Sequence, residues 1–409
     1  MHMINIAIMG YGTVGSGVFE VITKNKDIVN KKAGEEINIK YVLDLREFPG
    51  MPVEKVLTHN IDDILDDESV KVVVEVMGGV EPAYTFVKSA LLKGKSVATS
   101  NKALVAAHGP ELIQIARDKN VNFFFEASVG GGIPIIRPLN ECLTADKILE
   151  ITGILNGTTN FILTKMSKKG RNFEDVLKKA QELGYAEKDP TADIEGHDAC
   201  RKIAILSSLA FGKTANFEKI HTEGITKITK RDFEYAKELD CEIKLVGTSK
   251  RLENGISAMV APIMLKKNHP LSTVDGVFNA IFVKGNMLGD TMYYGSGAGS
   301  LPTASAVVSD VIDAIKHMGE NVHIDWEDEE LDILELKDVP VYGFIRMSGD
   351  LKTIKTESKV LFEGCEFVDI GYEDEIAVLT GKETEGSLSE KIEILRKAAE
   401  VRSIIRMDK

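Results

Sequence analysis

Residues 184 to 206 read GYAEKDPTADIEGHDACRKIAIL, five acids and three bases set directly before an aliphatic run. Asp189-Pro190 signals a turn, and helical periodicity begins near Asp193. Asp198 and Lys202, four apart, then share a face that Ile205 and Leu209 continue and that Ala199 and Leu206 flank. His197, Arg201 and Ser208 fall on the opposite side. Facing water, such an ion pair contributes only ~0.3 kcal/mol. On an apolar face it must be paired, hydrogen-bonded or functional. A lysine in a partly desolvated, acid-lined cleft can exchange a proton with a hydroxyl or carbonyl oxygen, while Glu187 or Asp193 can grip a substrate ammonium. The other reading is a structural ion pair at the head of a buried helix.

A proton donor of this kind needs a partner chemistry, and the amino-terminal stretch offers one. MINIAIM (3–9) reads as a buried strand, GYGTVGSG as a glycine turn and VFEVITKN as a helix. Gly10, Gly12 and Gly15 take the positions of G-x-G-x-x-G, where missing side chains allow the turn, the approach of a pyrophosphate and close helix packing. The candidate cofactor contacts here are Gly10, Gly12, Thr13, Val14 and Gly15; the alternative is a turn and nothing more. The run INIKYVLD ends in Asp44, placed to bind an adenine ribose, whereas Arg46 suits a 2′-phosphate, which leaves NAD and NADP open. Strand patterns at 71–77, 95–100 and 121–128 alternate with helical patterns around 82–93 and 103–118, as in a mostly parallel, doubly wound α/β sheet. Ligands bind beyond the carboxyl ends of such strands, where TSNKA places Thr99, Asn101 and Lys102. Lys102 is thus a second candidate for the reaction centre, or else a solvated loop lysine.

Glu126, followed by Gly130, Gly131 and Gly132, offers a carboxylate and backbone carbonyls to a hard cation, or marks a flexible hinge. The first domain boundary is placed near residue 132. A strand-like ILEITGILNG and a longer mixed α+β region follow, and a helix at 303–318 returns the chain to the nucleotide domain. Acidic residues 324–340 read as a solvated linker without chemistry, and 338–409 as a small four-stranded α+β domain. With 409 residues, 44% hydrophobic and 28% charged, the chain suits two or three domains. A net charge of −13 disfavours nucleic acid and anionic membrane surfaces. Cys142, Cys200, Cys241 and Cys365 form no CxxC pair, so neither zinc nor a disulfide framework is expected, and a reducing cytoplasm fits. MHMINIAIMG leaves no room for a signal peptide and no apolar run has membrane-span length, so a soluble, cytoplasmic protein is expected.

Together GYGTVGSG, TSNKA, EASVGGGIPII, GILNGTTNFIL, GYAEKDPTADIEGHDACRKIAIL and GSGAGSLPTASAVVSD resemble the homoserine dehydrogenase family over residues 4 to about 315. The resemblance implies reversible reduction of L-aspartate 4-semialdehyde to L-homoserine with NAD(P)H, toward threonine, methionine and isoleucine. It implies a Rossmann-type domain (1–132, completed near 303–318), a catalytic and dimerisation domain (133–302) and a C-terminal module (338–409). Carried over by position, Lys202 becomes the proton donor and acceptor with Lys102 beside it, Glu187 binds the substrate amino group, and Asp193 and Asp198 line the site. Asn156, Gly157 and Thr158 would frame the substrate, Gly184 and Gly299 the nicotinamide. Glu126 with the carbonyls of Val129, Gly131 and Ile133 would hold a monovalent cation, Na+ or K+. A homodimer or homotetramer is implied as well.

One departure is Leu43 before Asp44, where many relatives carry a basic residue. The C-terminal module resembles an ACT domain, which implies an amino-acid effector such as threonine. Its SGDLKTIKTE loop keeps Asp350 but lacks the Pro-Gly pair, so a module that only makes subunit contacts remains open. Two rivals stand beside the dehydrogenase. One is an aspartate semialdehyde dehydrogenase using Cys142, a residue that reads as a small buried side chain with no histidine near it in sequence. The other is a non-catalytic amino-acid or nucleotide sensor.

Overall fold

A computed structural model describes residues 2–408. The chain forms two compact units. One comprises the chain up to Lys147 with Ala204–Ala215 and Tyr293–Leu331; the other comprises Ile148–Ile203, Asn216–Met292 and the chain from Asp332.

The first unit is built on a six-stranded sheet in the order Leu57–Thr58, Glu36–Leu43, Met3–Met9, Val70–Glu75, Ser96–Thr99, Phe123–Phe124. Every neighbouring pair is parallel, which is the doubly wound arrangement. Ile6, Ile8, Val72 and Val74 are fully buried, as are Ala7 and Val73 between them, so these strands read as unbroken apolar runs rather than alternating ones. Helix Ser300–Lys316 packs on helix Thr13–Lys24 so closely that a Cβ on Gly17 would lie 2.7 Å from Ser300 Oγ. Val307, Val308 and Val311 join Val18 and Ile22 in one core. The unit runs past the sequence boundary near residue 132 to Lys147, held by Arg137, whose guanidinium pairs with Asp310 and Asp313 at 2.7 Å each.

The acidic segment is not a wholly solvated linker. Ile324, Trp326 and Leu331 are buried, and Trp326 packs so closely on Gly109 that a Cβ there would meet its ring at 2.8 Å. The indole N–H donates to Thr214 Oγ1 (3.0 Å), while the acids of strand Glu327–Glu330 stay exposed and pair with Lys213–Thr214. Three apolar side chains set among charges decide the outcome, since burying a large apolar side chain contributes about 1.5–3 kcal/mol and the exposed acids lose no hydration.

The second unit holds a sheet ordered Phe278–Gly285, Ile148–Ile154, Cys241–Leu252, Gly255–Lys266, Glu400–Met407, Pro340–Ser348, Glu375–Thr384, Glu366–Val368. The C-terminal residues follow the expected strand-helix-strand-strand-helix-strand order, with helices Leu351–Leu361 and Glu385–Leu395. They are not separate from the rest of the unit. Ile263 pairs with Arg406 and Met264 with Met407, so the last strand continues the sheet and covers what would be an open edge. Asp350 caps helix Leu351–Leu361, accepting from Thr353 N (2.8 Å) and Thr353 Oγ1 (2.6 Å).

Candidate active site

In the first unit the glycine turn follows strand Met3–Met9. Gly10 has φ +98°, and a Cβ there would come within 3.1 Å of Met77 Cα and Val76 O. Gly12 is the N-cap of Thr13–Lys24 and brings no side-chain acceptor, which leaves the first-turn N–H groups, those of Thr13 and Val14 among them, to an anionic ligand. Thr13 O accepts from Ser300 Oγ (2.6 Å), which sets the start of the second helix, with Gly299 as its N-cap, beside the first. Gly15 admits no side chain: a Cβ would lie 2.0 Å from Gly10 O. Gly15→Ala is therefore expected to cost about 1–3 kcal/mol of stability through overpacking. It should also weaken cofactor binding at least ~10-fold. Thermal unfolding and fluorescence titration of reduced nicotinamide check the two effects.

Asp44 and Arg46, alternatives in the sequence, are bound to each other. The guanidinium grips the carboxylate through Nε and Nη2 (2.9 Å each) and also reaches Tyr11 O. Asp44 accepts from Tyr11 N at 2.8 Å. The Arg46 guanidinium holds the Asp44 carboxyl well below the usual carboxylate range, so Asp44 is an ionised acceptor.

At the ends of the next strands, Thr99 donates to Glu75 (2.5 Å), and Asn101 caps helix Lys102–Asp118 by accepting from Leu104 N (3.2 Å). Lys102, half-buried, is the first residue of that helix. Glu75 is absent from the sequence reading; its only signal is a single acid inside the apolar run KVVVEVM. Glu126 is buried, and its carboxylate accepts from the N–H groups of Ile135 (2.6 Å), Ile136 (2.8 Å) and Arg137 (2.8 Å). The glycines after it are closely packed. Gly131 has φ +58°, and a Cβ there would lie 2.4 Å from Gly297 O, while Val129 and Ile133 on either side are buried. Cys142 is exposed, contrary to the buried position expected for it, at the end of the helical turn Pro138–Cys142.

The second unit carries the acid and lysine cluster. The expected helix start near Asp193 is one turn, Thr191–Ile194, broken at Gly196 (φ +84°) before helix His197–Phe211 begins. Asp198 and Lys202 are both buried and 2.8 Å apart, and Lys202 Nζ also donates to Leu155 O at 2.8 Å. Asn156 ties the acids together: its Nδ2 donates to Asp193 (2.7 Å) and Asp198 (3.0 Å), while its Oδ1 caps helix Gly157–Lys169 through Thr159 N. A Cβ on Gly157 would lie 2.7 Å from Val277 O, and Thr158 Oγ1 donates to Tyr185 O (2.5 Å). Glu187 is exposed in the segment before Thr191, with Gln181 donating to its backbone carbonyl, and Gly184 is exposed with φ +74°. Ser208, on the side of the same helix opposite the apolar arc and within the first unit, is buried as well. Its hydroxyl donates to Ala204 O and accepts from Ala215 N, which removes the cost of burying it.

Burial first, then the charge of Asp198, pushes the Asp193 carboxyl up. The folded protein therefore keeps a proton that the unfolded chain has released, and stability falls as pH rises from the ordinary aspartate range through the raised value. Asp193→Asn should flatten that slope in melting temperatures measured across acid pH; an unchanged slope would refute the assignment.

The glycine turn on the first unit's doubly wound sheet is of the dinucleotide-binding type, and the second unit by itself carries a buried lysine with acids; both are features of the oxidoreductase class. A family model described as homoserine dehydrogenase matches residues 134–312, and one described as homoserine dehydrogenase, NAD binding domain, matches residues 10–126. A homoserine dehydrogenase of Bacillus subtilis is 46% identical over 321 residues, 78% of this chain and 74% of its own. The crystal structure of one from Thiobacillus denitrificans superposes with a TM-score of 0.91 at 38% identity, covering 100% of this chain and 99% of that one. A hyperthermophilic archaeal homoserine dehydrogenase in complex with NADPH gives 0.66 at 31% identity over 76% of this chain and 97% of that one. The chain belongs to the homoserine dehydrogenase family. It is thus an oxidoreductase of amino-acid biosynthesis that uses NAD(P) to interconvert aspartate semialdehyde and homoserine, and the sensor reading falls. No helix among the described residues is long and apolar enough to cross a membrane.

Proposed function

We propose that Lys202 is the proton donor and acceptor of this homoserine dehydrogenase. The observation that carries the reading is its ammonium, buried and held at 2.8 Å by both Asp198 and Leu155 O. Bound NAD(P)H supplies the hydride to the aldehyde carbon. Lys202 gives the proton to the oxygen in reduction and takes it from homoserine in oxidation, and Asp198 fixes the ammonium for both directions. Asp193 and Asn156 align Asp198, Glu187 and Asp193 meet the substrate ammonium, and Gly157 and Thr158 frame the substrate. Lys102 adds a second positive charge that stabilises the developing alkoxide. Gly10, Gly12, Thr13, Val14, Gly15, Thr99, Gly184 and Gly299 hold the cofactor.

Asp44 favours NAD, because an ionised acceptor binds ribose hydroxyls and repels a 2′-phosphate; Arg46 serves NADP only by leaving Asp44. A monovalent cation at Glu126 and the carbonyls of Val129, Gly131 and Ile133 would share the carboxylate with three N–H donors, which leaves room for about one further contact. Activity in K+, Na+ and choline buffers of equal ionic strength tests it. A cytoplasmic homodimer or homotetramer is the assembly proposed, in keeping with the preference for closed symmetry. The ACT-like module is proposed to bind an amino-acid effector such as threonine; no change of rate and no binding with threonine would refute that. Homoserine oxidation followed with NAD and NADP in parallel tests the cofactor reading: Asp44→Ala should shift preference toward NADP, and an unchanged ratio would refute it.

A further inference from the structure

Glu75 closes the strand Val70–Glu75 beyond the sheet's carboxyl edge and is fully buried. Burial raises its carboxyl above the ordinary range despite the donors around it. Those donors come from both loops that leave this edge of the sheet. Met77 N donates to Oε1 at 2.8 Å, which fixes the turn whose Val76 and Met77 form the wall against Gly10. Thr99 Oγ1 donates to Oε2 at 2.5 Å, and the same Thr99 Oγ1 accepts from Asn101 N (2.9 Å). Asn101 Nδ2 donates to Gly79 O (2.6 Å) and approaches Glu75 Oε1 at 3.5 Å, while its Oδ1 caps the helix that Lys102 begins. One carboxylate thereby joins the turn at 76–79, the strand end at Thr99 and the first turn of helix Lys102–Asp118.

We propose that Glu75 is a positioning residue for the reaction, setting where Lys102 stands relative to the cofactor-binding turn. The inference rests on the role assigned to Lys102. A buried acid is costly to keep at a site where Ile or Val would complete the strand, and here it holds in register two loops that Asn101 also links through Gly79 O. Glutamine fills the same volume and its oxygen can still accept from Met77 N, but its NH2 cannot accept from Thr99 Oγ1, so that hydroxyl must turn and the contact that sets the strand end changes.

Glu75→Gln is expected to lower kcat by up to ~100-fold, the effect of a misplacement of about 1 Å. Affinity for reduced nicotinamide, by fluorescence titration, should stay within about threefold. In a Lys102→Met background the same substitution should change kcat less than about twofold, because a group acting through Lys102 has nothing left to position. Asn101→Ser, which keeps a capping hydroxyl but cannot bridge Gly79 and Glu75, is the second variant if Glu75→Gln folds poorly, and the same non-additivity is expected. A kcat within twofold of wild type for either folded variant, or a full additive loss on top of Lys102→Met, overturns the proposal. If Lys102→Met itself keeps wild-type turnover, the role of Lys102 fails, and that result is read from the single variant before any double variant is made.

Discussion

Lys202→Ala will lose turnover in both directions by about 10²–10⁴-fold, the usual contribution of a placed acid or base. Binding of reduced nicotinamide should be kept, because the residues proposed to cradle its phosphates lie in the first unit's own turn and helix starts. Removing the ammonium leaves Asp198 beside Asp193 without its cation. Their mutual repulsion is relieved by proton uptake and by the Asn156 donors, so the variant folds with some loss of stability. Lys202→Arg separates the two roles of the side chain. It restores positive charge next to Asp198, but guanidinium does not release a proton in the working range, so stability should recover and turnover should not. Reduction needs the ammonium and oxidation the neutral amine, hence in the wild type the two rates should respond to pH in opposite senses. Rates followed by nicotinamide absorbance, with melting temperatures for each variant, make the check; turnover restored by arginine would remove Lys202 from proton transfer.

What the sequence disclosed and what it concealed divide along the reach of the interactions. Gly10, Gly12 and Gly15 are legible because turn, helix start and close packing are all set within a few residues, and the same is true of Asp198 and Lys202 on one helical face. Asn156 is visible as part of a motif, yet its bridge to Asp193 and Asp198 joins residues roughly forty apart, which no periodicity reports. Glu75 is the sharper case. It sits in an apolar run as an apparent flaw, and only the parallel pairing of Val70–Glu75 with Ser96–Thr99 brings Thr99 to its side. Trp326 was misplaced for a related reason: the acids around it describe local average polarity, whereas Gly109 and Thr214 supply the actual neighbours. The C-terminal order was legible strand by strand, but its fusion with the second unit's sheet through Ile263 and Arg406 was not.

That fusion makes Arg346 the other site of a large expected effect. Arg346 lies in strand Pro340–Ser348, flanked on both sides by other strands, with its side chain 6% exposed. Its Nε donates to Asp232 (2.9 Å), its Nη1 to Glu375 (2.8 Å) and its Nη2 to Thr229 Oγ1 (3.2 Å). Asp232 is fully buried and also accepts from the backbone and hydroxyl of Thr229, closing the capping box of helix Lys230–Glu238. Arg346→Met keeps the volume and removes the only cation bridging those two acids among the described residues. The expected loss is about 3–5 kcal/mol, the cost of leaving buried charge without its partner. Asp232→Asn in the same background should recover part of that loss, because the uncompensated charge then goes with its counterion, and Arg346→Lys should recover less than its charge suggests, since an ammonium cannot span Asp232, Glu375 and Thr229 at once. Denaturant unfolding of the three variants measures this. An Arg346→Met protein within about 1 kcal/mol of wild type would mean that the cluster's desolvation had already cancelled its attraction, and that other contacts, the sheet ladder and the Arg406–Glu223 pair among them, hold the C-terminal strands to the rest of the second unit.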